Sequence, residues 1–347
     1  MTDHAATDAD RHGLATLAWA LARQVAFCGL AVSCGGQRRL AIAHKPFVQA
    51  DAQTMFRVAS VSKIVVGQTL ARLLAEKGIG WDTDVSDLLG WNLRNPACPQ
   101  VPITVGAVTS HSAGLDDAAG YLVPPDISIR DFFSYNRFAK NQNKARFAYS
   151  NLGYVVLAEV IESLSGQSLQ QASAPLIPDC GGFNWAGVSA DRLAQALPTF
   201  RREADRFVPQ IDSPPVPAAT QGNVARFSPQ GGLRLSLSGM LELAEGLARA
   251  DRTVLWHQQD GPGDYLDGVF QHYGAGLEIF DRPTFYPRPL IGHFGNAYGF
   301  NGGVWYDGQA DLAFAYALNG LEMGDEDDRF SDDERAIFDA VAGIGDD

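Results

Sequence analysis

Ser60 and Lys63 stand three residues apart in Ser60-Val61-Ser62-Lys63, at the start of an apolar stretch. One helical turn separates them, so a hydroxyl and an amine share one face. The residues that follow, Ile64, Val65, Val66, Leu70, Leu73 and Leu74, are apolar almost all round, which predicts a buried helix. Lys63 is the only charged residue between Arg57 and Arg72. A lysine in such a helix must find a partner or lose its proton. A neutral amine beside a serine hydroxyl is a general base beside a nucleophile. The helix N-terminus adds positive potential that favours negative charge developing at Ser60.

An isolated Ser-x-x-Lys is better read as a capping serine and a surface lysine, so its companions decide. Tyr149-Ser150-Asn151 marks a loop-to-helix junction. A phenol can shuttle a proton if nearby cations lower its pKa, and an amide can orient Lys63 and a substrate. Ser150 or Asn151 could also simply cap the helix. His293-Phe294-Gly295-Asn296 falls on a predicted strand, ahead of the glycine-rich Tyr298-Gly299-Phe300-Asn301-Gly302-Gly303. A strand edge facing Ser60 can lend a backbone N–H to an oxyanion hole whose other donor is the Ser60 N–H. Gly295 would let a substrate approach the backbone closely. The segment Thr109 to Leu115 reads as structural, with His111 tying a loop by hydrogen bonds.

These residues must be positioned by a larger frame. Leu14, Leu17, Leu21 and Val25 predict an N-terminal amphipathic helix, followed by strands over Gly29 to Ser33 and Arg39 to Ala43 with a Gly35-Gly36 turn. The Ser60 helix should end near Gly78-Ile79-Gly80. Signals from Trp81 to about Ser173 are helical or loop, the clearest helix being Asn151 to Leu164 with Gly166 as its stop. Pro209 to Pro217 predicts a stiff, ordered loop. After Gly232 a helix runs through Leu241, Leu243 and Leu247. Strand-like runs then cover Tyr273 to Phe280, Leu290 to Gly295, Gly303 to Tyr306 and Leu312 to Leu318, with a tight turn at Asp307-Gly308. Ser331-Asp332-Asp333-Glu334 is a capping box for a C-terminal helix. The order predicts one catalytic unit of the α/β (α+β) class. Residues 1–60 and 232–347 should form a sheet lobe and 61–231 a mostly helical lobe, with the site between them.

The 347 residues carry a formal net charge of −13, which argues against nucleic acid or an anionic membrane as partner. Much of that acidity sits in Glu322 to Asp328 and in Asp332-Asp333-Glu334, read as a solvated loop and a helix N-terminus. Cys28, Cys34, Cys98 and Cys180 form no Cys-x-x-Cys pair or zinc spacing, and read as small buried residues of a reducing compartment. Met1 to Asp10 is polar and acidic, and the apolar segment after it is broken by Arg11, His12 and Arg23. Neither a signal peptide nor a membrane span is expected, which suggests a cytoplasmic protein.

Five segments together carry a resemblance. They are Phe56-Arg57-Val58-Ala59-Ser60-Val61-Ser62-Lys63, His111 to Leu115, Phe147-Ala148-Tyr149-Ser150-Asn151-Leu152-Gly153-Tyr154, Ser228-Pro229-Gln230-Gly231-Gly232-Leu233 and Gly292-His293-Phe294-Gly295. In this order the chain resembles the serine β-lactamase-related family of class C β-lactamases, D-alanyl-D-alanine carboxypeptidases, D-aminopeptidases and family VIII carboxylesterases, from Phe56 to about Asn319. The resemblance implies a β-lactamase/transpeptidase-like fold, an antiparallel sheet flanked by N- and C-terminal helices plus a mostly helical lobe. It implies Ser60 as acylated nucleophile, with Lys63 and Tyr149 sharing the acid and base work. Asn151, His293 and Gly295 would position substrate, and the N–H groups of Ser60 and Asn296 would form the oxyanion hole. No metal or organic cofactor is implied.

Two departures bear on substrate. Relatives usually offer a cation and a hydroxyl where this chain has His293 and Phe294. Imidazole is mostly neutral at pH 7, and phenylalanine offers no hydrogen bond but would help desolvate the site. Carboxylate-bearing β-lactams and D-Ala-D-Ala peptides become poorer candidates, and a small uncharged ester or amide a better one. Asn143-Lys144 also replaces the Pro-Gly often found before the tyrosine motif. The expected activity is an acyl-enzyme serine hydrolase of esterase or amidase type. The alternatives are a β-lactamase or D-amino-acid-specific peptidase, and a non-catalytic penicilloyl-binding sensor.

Overall fold

The computed structural model of the chain describes residues 8–124, 126–133, 137–138, 147–178, 181–183, 189–210, 224–257, 270–322 and 330–345. Asn143-Lys144, Cys180, most of the proline-rich loop and the acidic run after Glu322 lie outside the described residues. The two ends of the chain build one antiparallel sheet. Strands β1 (Phe27–Cys34) and β2 (Gln37–His44) come from the N-terminal part. The short β3 (Phe56–Arg57), β4 (Gly182–Phe183), β5 (Phe200–Glu203), β6 (Arg206–Pro209) and β7 (Leu233–Leu235) follow. Then come β8 (Trp256–His257), β9 (His272–Gly274), β10 (Leu277–Phe280), β11 (Leu290–Ala297), β12 (Phe300–Asp307) and β13 (Leu312–Asn319). The large sheet runs β2-β1-β13-β12-β11-β10-β9-β8, and a three-stranded sheet β3-β7-β4 adjoins it.

The period-2 alternation of β1 and β13 divides the interior into two cores. Ala31, Ala313, Ala315 and Ala317 face a cluster shared with the helices Ser62–Lys77, Asn151–Ser165 and Leu237–Gly246. Leu30, Val32, Phe314, Tyr316 and Leu318 face the other cluster, closed by the terminal helices Asp8–Leu21 and Asp332–Ile344. Each half of the strand pattern is therefore buried, which is why β13 reads as a continuous apolar run. At about 25 cal/mol per Å² of apolar surface, burial on both faces dominates the stability of this sheet.

The helices begin and end where their caps dictate. The Asn151–Ser165 helix starts at Ser150, whose hydroxyl accepts from the Gly153 N–H, and stops at left-handed Gly166. The C-terminal helix has both halves of its Ser331–Glu334 capping box. Three expectations are corrected. The run from Tyr273 to Phe280 is two strands, because Ala275 and Gly276 (φ 50° and 79°) turn the chain into a hairpin. The link after Asp307 spans Gly308 to Asp311 rather than two residues, and the Asp307 carboxylate organises it by accepting the N–H groups of Gln309 and Ala310. After Gly232 the chain first forms β7, then the helix, with Leu247 in a 3₁₀ turn beyond it.

Cys28 is buried, but Cys34 and Cys98 are only partly so, and all three are free thiols. Cys34 is the last residue of β1, paired with Leu312 on one side and Gln37 on the other. Among the described residues no helix is long and apolar enough to cross a membrane.

Candidate active site

Ser60 lies in a 3₁₀ turn, Ala59–Val61, and the α-helix proper begins at Ser62. The turn is tied down from β7: Val58 N–H donates to Leu233 O at 3.0 Å, and Ser62 Oγ accepts the Leu233 N–H at 3.0 Å while donating to Ala59 O. Ala59 is held at φ 48°, a left-handed conformation unusual for an alanine. These ties fix the direction in which Ser60 presents its hydroxyl.

Lys63 is fully buried, and its Nζ lies 2.9 Å from each of Ser60 Oγ, Asn151 Oδ1 and Gln230 O. Burial lowers its pKa from 10.5 to about 7, with Asp117 and Glu278 pulling the other way. Asn151 Oδ1 and the Gln230 carbonyl can only accept. As an ammonium Nζ donates to all three; as a neutral amine it keeps two N–H groups, which Asn151 Oδ1 and Gln230 O can take, and its lone pair is then left for the Ser60 hydroxyl. The Lys63 backbone is clamped from behind. A Cβ at Gly276 would stand 2.2 Å from Lys63 O, so only glycine lets the β9–β10 turn come this close.

Tyr149 packs against His111, with ring centroids 4.4 Å apart and the planes tilted by 33°, and Lys63 Nζ lies 4.7 Å from the Tyr149 centroid. Its hydroxyl is buried and completes no hydrogen bond among the described residues, although the Ser60 hydroxyl is near enough to favour the phenolate. Burial outweighs that neighbour and pushes the phenol well above its ordinary pKa. The condition for a phenolate shuttle, a pKa lowered by nearby cations, is therefore not met: the ring is enclosed by His111 and by Phe270, whose centroid is 5.7 Å away. Tyr149 is therefore a neutral phenol in this site.

Asn151 opens its helix beside Asp117, a residue the sequence did not single out. Asp117 accepts from the Asn151 N–H at 2.6 Å, the Leu152 N–H at 3.2 Å and Ser150 Oγ at 2.8 Å. The first turn of this helix has no acid of its own, so Asp117 supplies the negative charge its N-terminus favours. His111 ties the same junction: its Nδ1 accepts the Ser150 N–H at 3.0 Å and its carbonyl accepts the Ala148 N–H at 2.7 Å.

The third segment comes from β11. Strand β10 pairs only with Leu290 to Gly292, so from His293 onward no strand covers that edge among the described residues. The Tyr298-Gly299 turn closes the β11–β12 hairpin at Ala297↔Phe300. Antiparallel alternation from that pair turns the N–H groups of Phe294 and Asn296 away from β12, toward the open edge. A Cβ at Gly295 would lie 2.5 Å from Val58 O and 3.3 Å from Ser60 N, so glycine alone allows the strand against the Ser60 turn.

Two side chains here differ from expectation. His293 is fully buried and both ring nitrogens are engaged: Nε2 lies 2.9 Å from Tyr273 OH, and Nδ1 lies 3.0 Å from Glu278 Oε1 and beside Phe294 O. Its pKa falls to about 3, through burial and then Lys63. It is neutral as expected, but it stands behind the site and leaves no ring nitrogen for a substrate. Phe294 alternates to the other face and packs with Phe270 and Phe330, at 5.9 and 6.1 Å, so it does not roof Ser60. Glu278 and Tyr273 also escaped the sequence reading. The usable signal was Glu278 itself, a lone carboxyl in the otherwise apolar Leu277–Phe280 strand. Among the described residues no group of three His, Cys, Asp or Glu side chains could hold a metal ion.

Comparison with known proteins agrees with this architecture. Residues 7–337 match the Beta-lactamase family. The D-amino acid amidase from Ochrobactrum anthropi SV3 superposes with a TM-score of 0.73 at 17% identity, over 97% of each chain. EstCE1, a hydrolase with promiscuous acyltransferase activity, superposes with a TM-score of 0.76 at 19% identity, over 97% of this chain and 100% of that one. In sequence, the probable fimbrial assembly protein FimD, serogroup H1, of Dichelobacter nodosus is 29% identical over 125 residues, which are 34% of this chain and 31% of that protein. The chain thus spans only about a third of that relative's length.

Proposed function

The chain belongs to the beta-lactamase family of hydrolases, and we propose that it is a serine hydrolase working through an acyl-enzyme on a small ester or amide. The observation that carries this reading is the hydrogen-bond set of Lys63, whose two acceptors leave the lone pair for Ser60. Ser60 Oγ attacks the carbonyl carbon while Lys63 Nζ takes its proton. Negative charge develops on the carbonyl oxygen, where the N–H groups of Ser60 and Asn296 stabilise it. The proton on Lys63 then passes to the leaving group, with the neutral Tyr149 hydroxyl as the donor at the reacting side. Water enters, the same pair activates it, and the acyl group departs from Ser60. Asn151 keeps Lys63 aimed throughout and offers its amide N–H groups to the substrate.

Substrate charge follows from what β11 lacks. His293 is neutral with both nitrogens taken, and Phe294 faces the other side of the sheet, so neither offers a partner for a substrate carboxylate. A small ester or amide without a carboxylate fits this edge better than a β-lactam or a peptide C-terminus. An amidase and an ester-type hydrolase among the similar structures are compatible with either bond. The test is a side-by-side panel of short-chain nitrophenyl esters, D- and L-amino acid amides and nitrocefin. The expected order puts an ester or amide far ahead of nitrocefin. Faster hydrolysis of nitrocefin would overturn the substrate reading, and one stoichiometric acylation without turnover would indicate a penicilloyl-binding sensor instead.

A further inference from the structure

We infer that Glu278 is a positioning residue for the reaction proposed above, on which this inference rests: its buried carboxyl takes the place of a missing strand along the open edge of β11. Strand β10 ends its pairing at Glu278↔Gly292. The next outward N–H on β11, that of Phe294, would have no backbone partner, and it points instead at Glu278 Oε1, 3.4 Å away. The same oxygen lies 3.0 Å from His293 Nδ1. One carboxyl oxygen thus accepts from the strand backbone and lies beside the imidazole at the point where β10 stops.

The consequence falls on Asn296, two residues further along the same edge. Its N–H is the outward group after that of Phe294. With Phe294 anchored on one side and the tight Tyr298-Gly299 turn on the other, the intervening backbone is held at both ends. Gly295 lies between them, pressed to within 2.5 Å, from a Cβ position, of Val58 O. An anchor that fixes Phe294 therefore fixes the distance between the Asn296 N–H and Ser60.

The imidazole tautomer is set from the strand itself. Nδ1 faces the acceptor Phe294 O, with Glu278 Oε1 beside it, so it carries the proton, and Nε2 accepts from Tyr273 OH. Tyr273 in turn meets Tyr154 OH at 3.2 Å, and Tyr154 OH lies 3.3 Å from Thr109 O. The chain of contacts runs behind Tyr149 and ends at the His111 segment. Every side chain along it is fully buried, so Glu278 acts through the strand and the ring rather than by contact with the reacting atoms.

Burial holds the carboxyl well above the carboxylate range, with the Phe294 N–H opposing. A neutral acid has a close mimic in glutamine. Oε2 has no hydrogen-bond partner among the described residues, so the amide NH₂ can occupy its place while the oxygen stays at Oε1.

The experiment measures kcat and KM per active site titrated by a fluorophosphonate in the full-length protein, for wild type, Glu278→Gln, Glu278→Ala and Glu278→Asp. Glu278→Gln should keep kcat within about threefold of wild type. Glu278→Ala should lose roughly 10- to 100-fold in kcat with KM within about threefold, because an oxyanion contact forms only in the transition state. Glu278→Asp, which withdraws the carboxyl by one methylene, should lose about tenfold and carries the same test if the alanine variant does not fold. Unchanged kcat per titrated site in the folded alanine or aspartate variant overturns the inference, as does a glutamine variant as poor as alanine. A wild type that fluorophosphonate does not titrate at all would instead overturn the acyl-enzyme reading.

Discussion

The pH dependence of the reaction follows directly from the state of Lys63. Burial lowers its pKa from 10.5 to about 7, which corresponds to roughly 5 kcal/mol in favour of the neutral amine. Only the neutral form can take the Ser60 proton. With a neutral ester as substrate, kcat/KM should therefore rise about tenfold per pH unit below 7 and level off above it. At pH 6 about a tenth of the sites are active, and at pH 8 about nine tenths. The phenol of Tyr149 stays protonated throughout this range, because burial raises it well above its ordinary value. The profile should accordingly have one inflection near 7 and a plateau to at least pH 9. The assay is initial-rate hydrolysis from pH 5.5 to 9.5, corrected for spontaneous ester hydrolysis. A rate that climbs tenfold per unit to pH 9 and beyond would mean that Lys63 keeps an ordinary pKa, and the account of its burial would be wrong.

The same ionisation is linked to stability. The unfolded chain holds the Lys63 proton up to about 10.5 and the folded chain releases it near 7, so between those limits stability rises with pH by about 1.4 kcal/mol per unit from this group. Denaturant unfolding at pH 7.5 and 9 should show this gain in wild type relative to Lys63→Met; parallel curves would contradict it. Gly295→Ala should cost at least about a hundredfold in kcat, since its Cβ would sit 2.5 Å from Val58 O and force β11 off the Ser60 turn. Full activity in that variant would mean that β11 does not supply an oxyanion donor. Lys63→Ala and Tyr149→Phe should each depress the rate strongly, and the double variant should be little worse than the poorer single one, because both serve one proton path. Multiplicative losses would show separate roles.

The parts of this molecule that were legible in its sequence are those written in local spacing. The Ser60–Lys63 pair depends on one helical turn, the Asn151–Ser165 helix on an adjacent cap and stop, and the C-terminal helix on a four-residue box. The sheet built from both chain ends followed from strand order. What escaped depends on contacts between distant residues. Asp117 reaches its helix N-terminus from 34 residues away, and Glu278 reaches Phe294 because β10 happens to stop there. The ionisation of Tyr149 was left conditional for the same reason: the cation beside it was visible in the motif, but the rings that exclude water were not. The neutral His293 was legible from its residue type, whereas its engagement by Tyr273 and by Phe294 O, with Glu278 beside it, was set by the fold.

The central claim is that Ser60 carries the acyl group during turnover. Rapid quenching of the wild-type protein with a short-chain nitrophenyl ester, followed by peptide mass spectrometry, tests it most directly. The expected result is one acyl group on the peptide containing Ser60, appearing at the rate of a nitrophenol burst and disappearing as substrate is exhausted. Ser60→Ala should show neither the adduct nor turnover. Sustained hydrolysis by Ser60→Ala, or an adduct on any other residue of the wild type, would contradict the account.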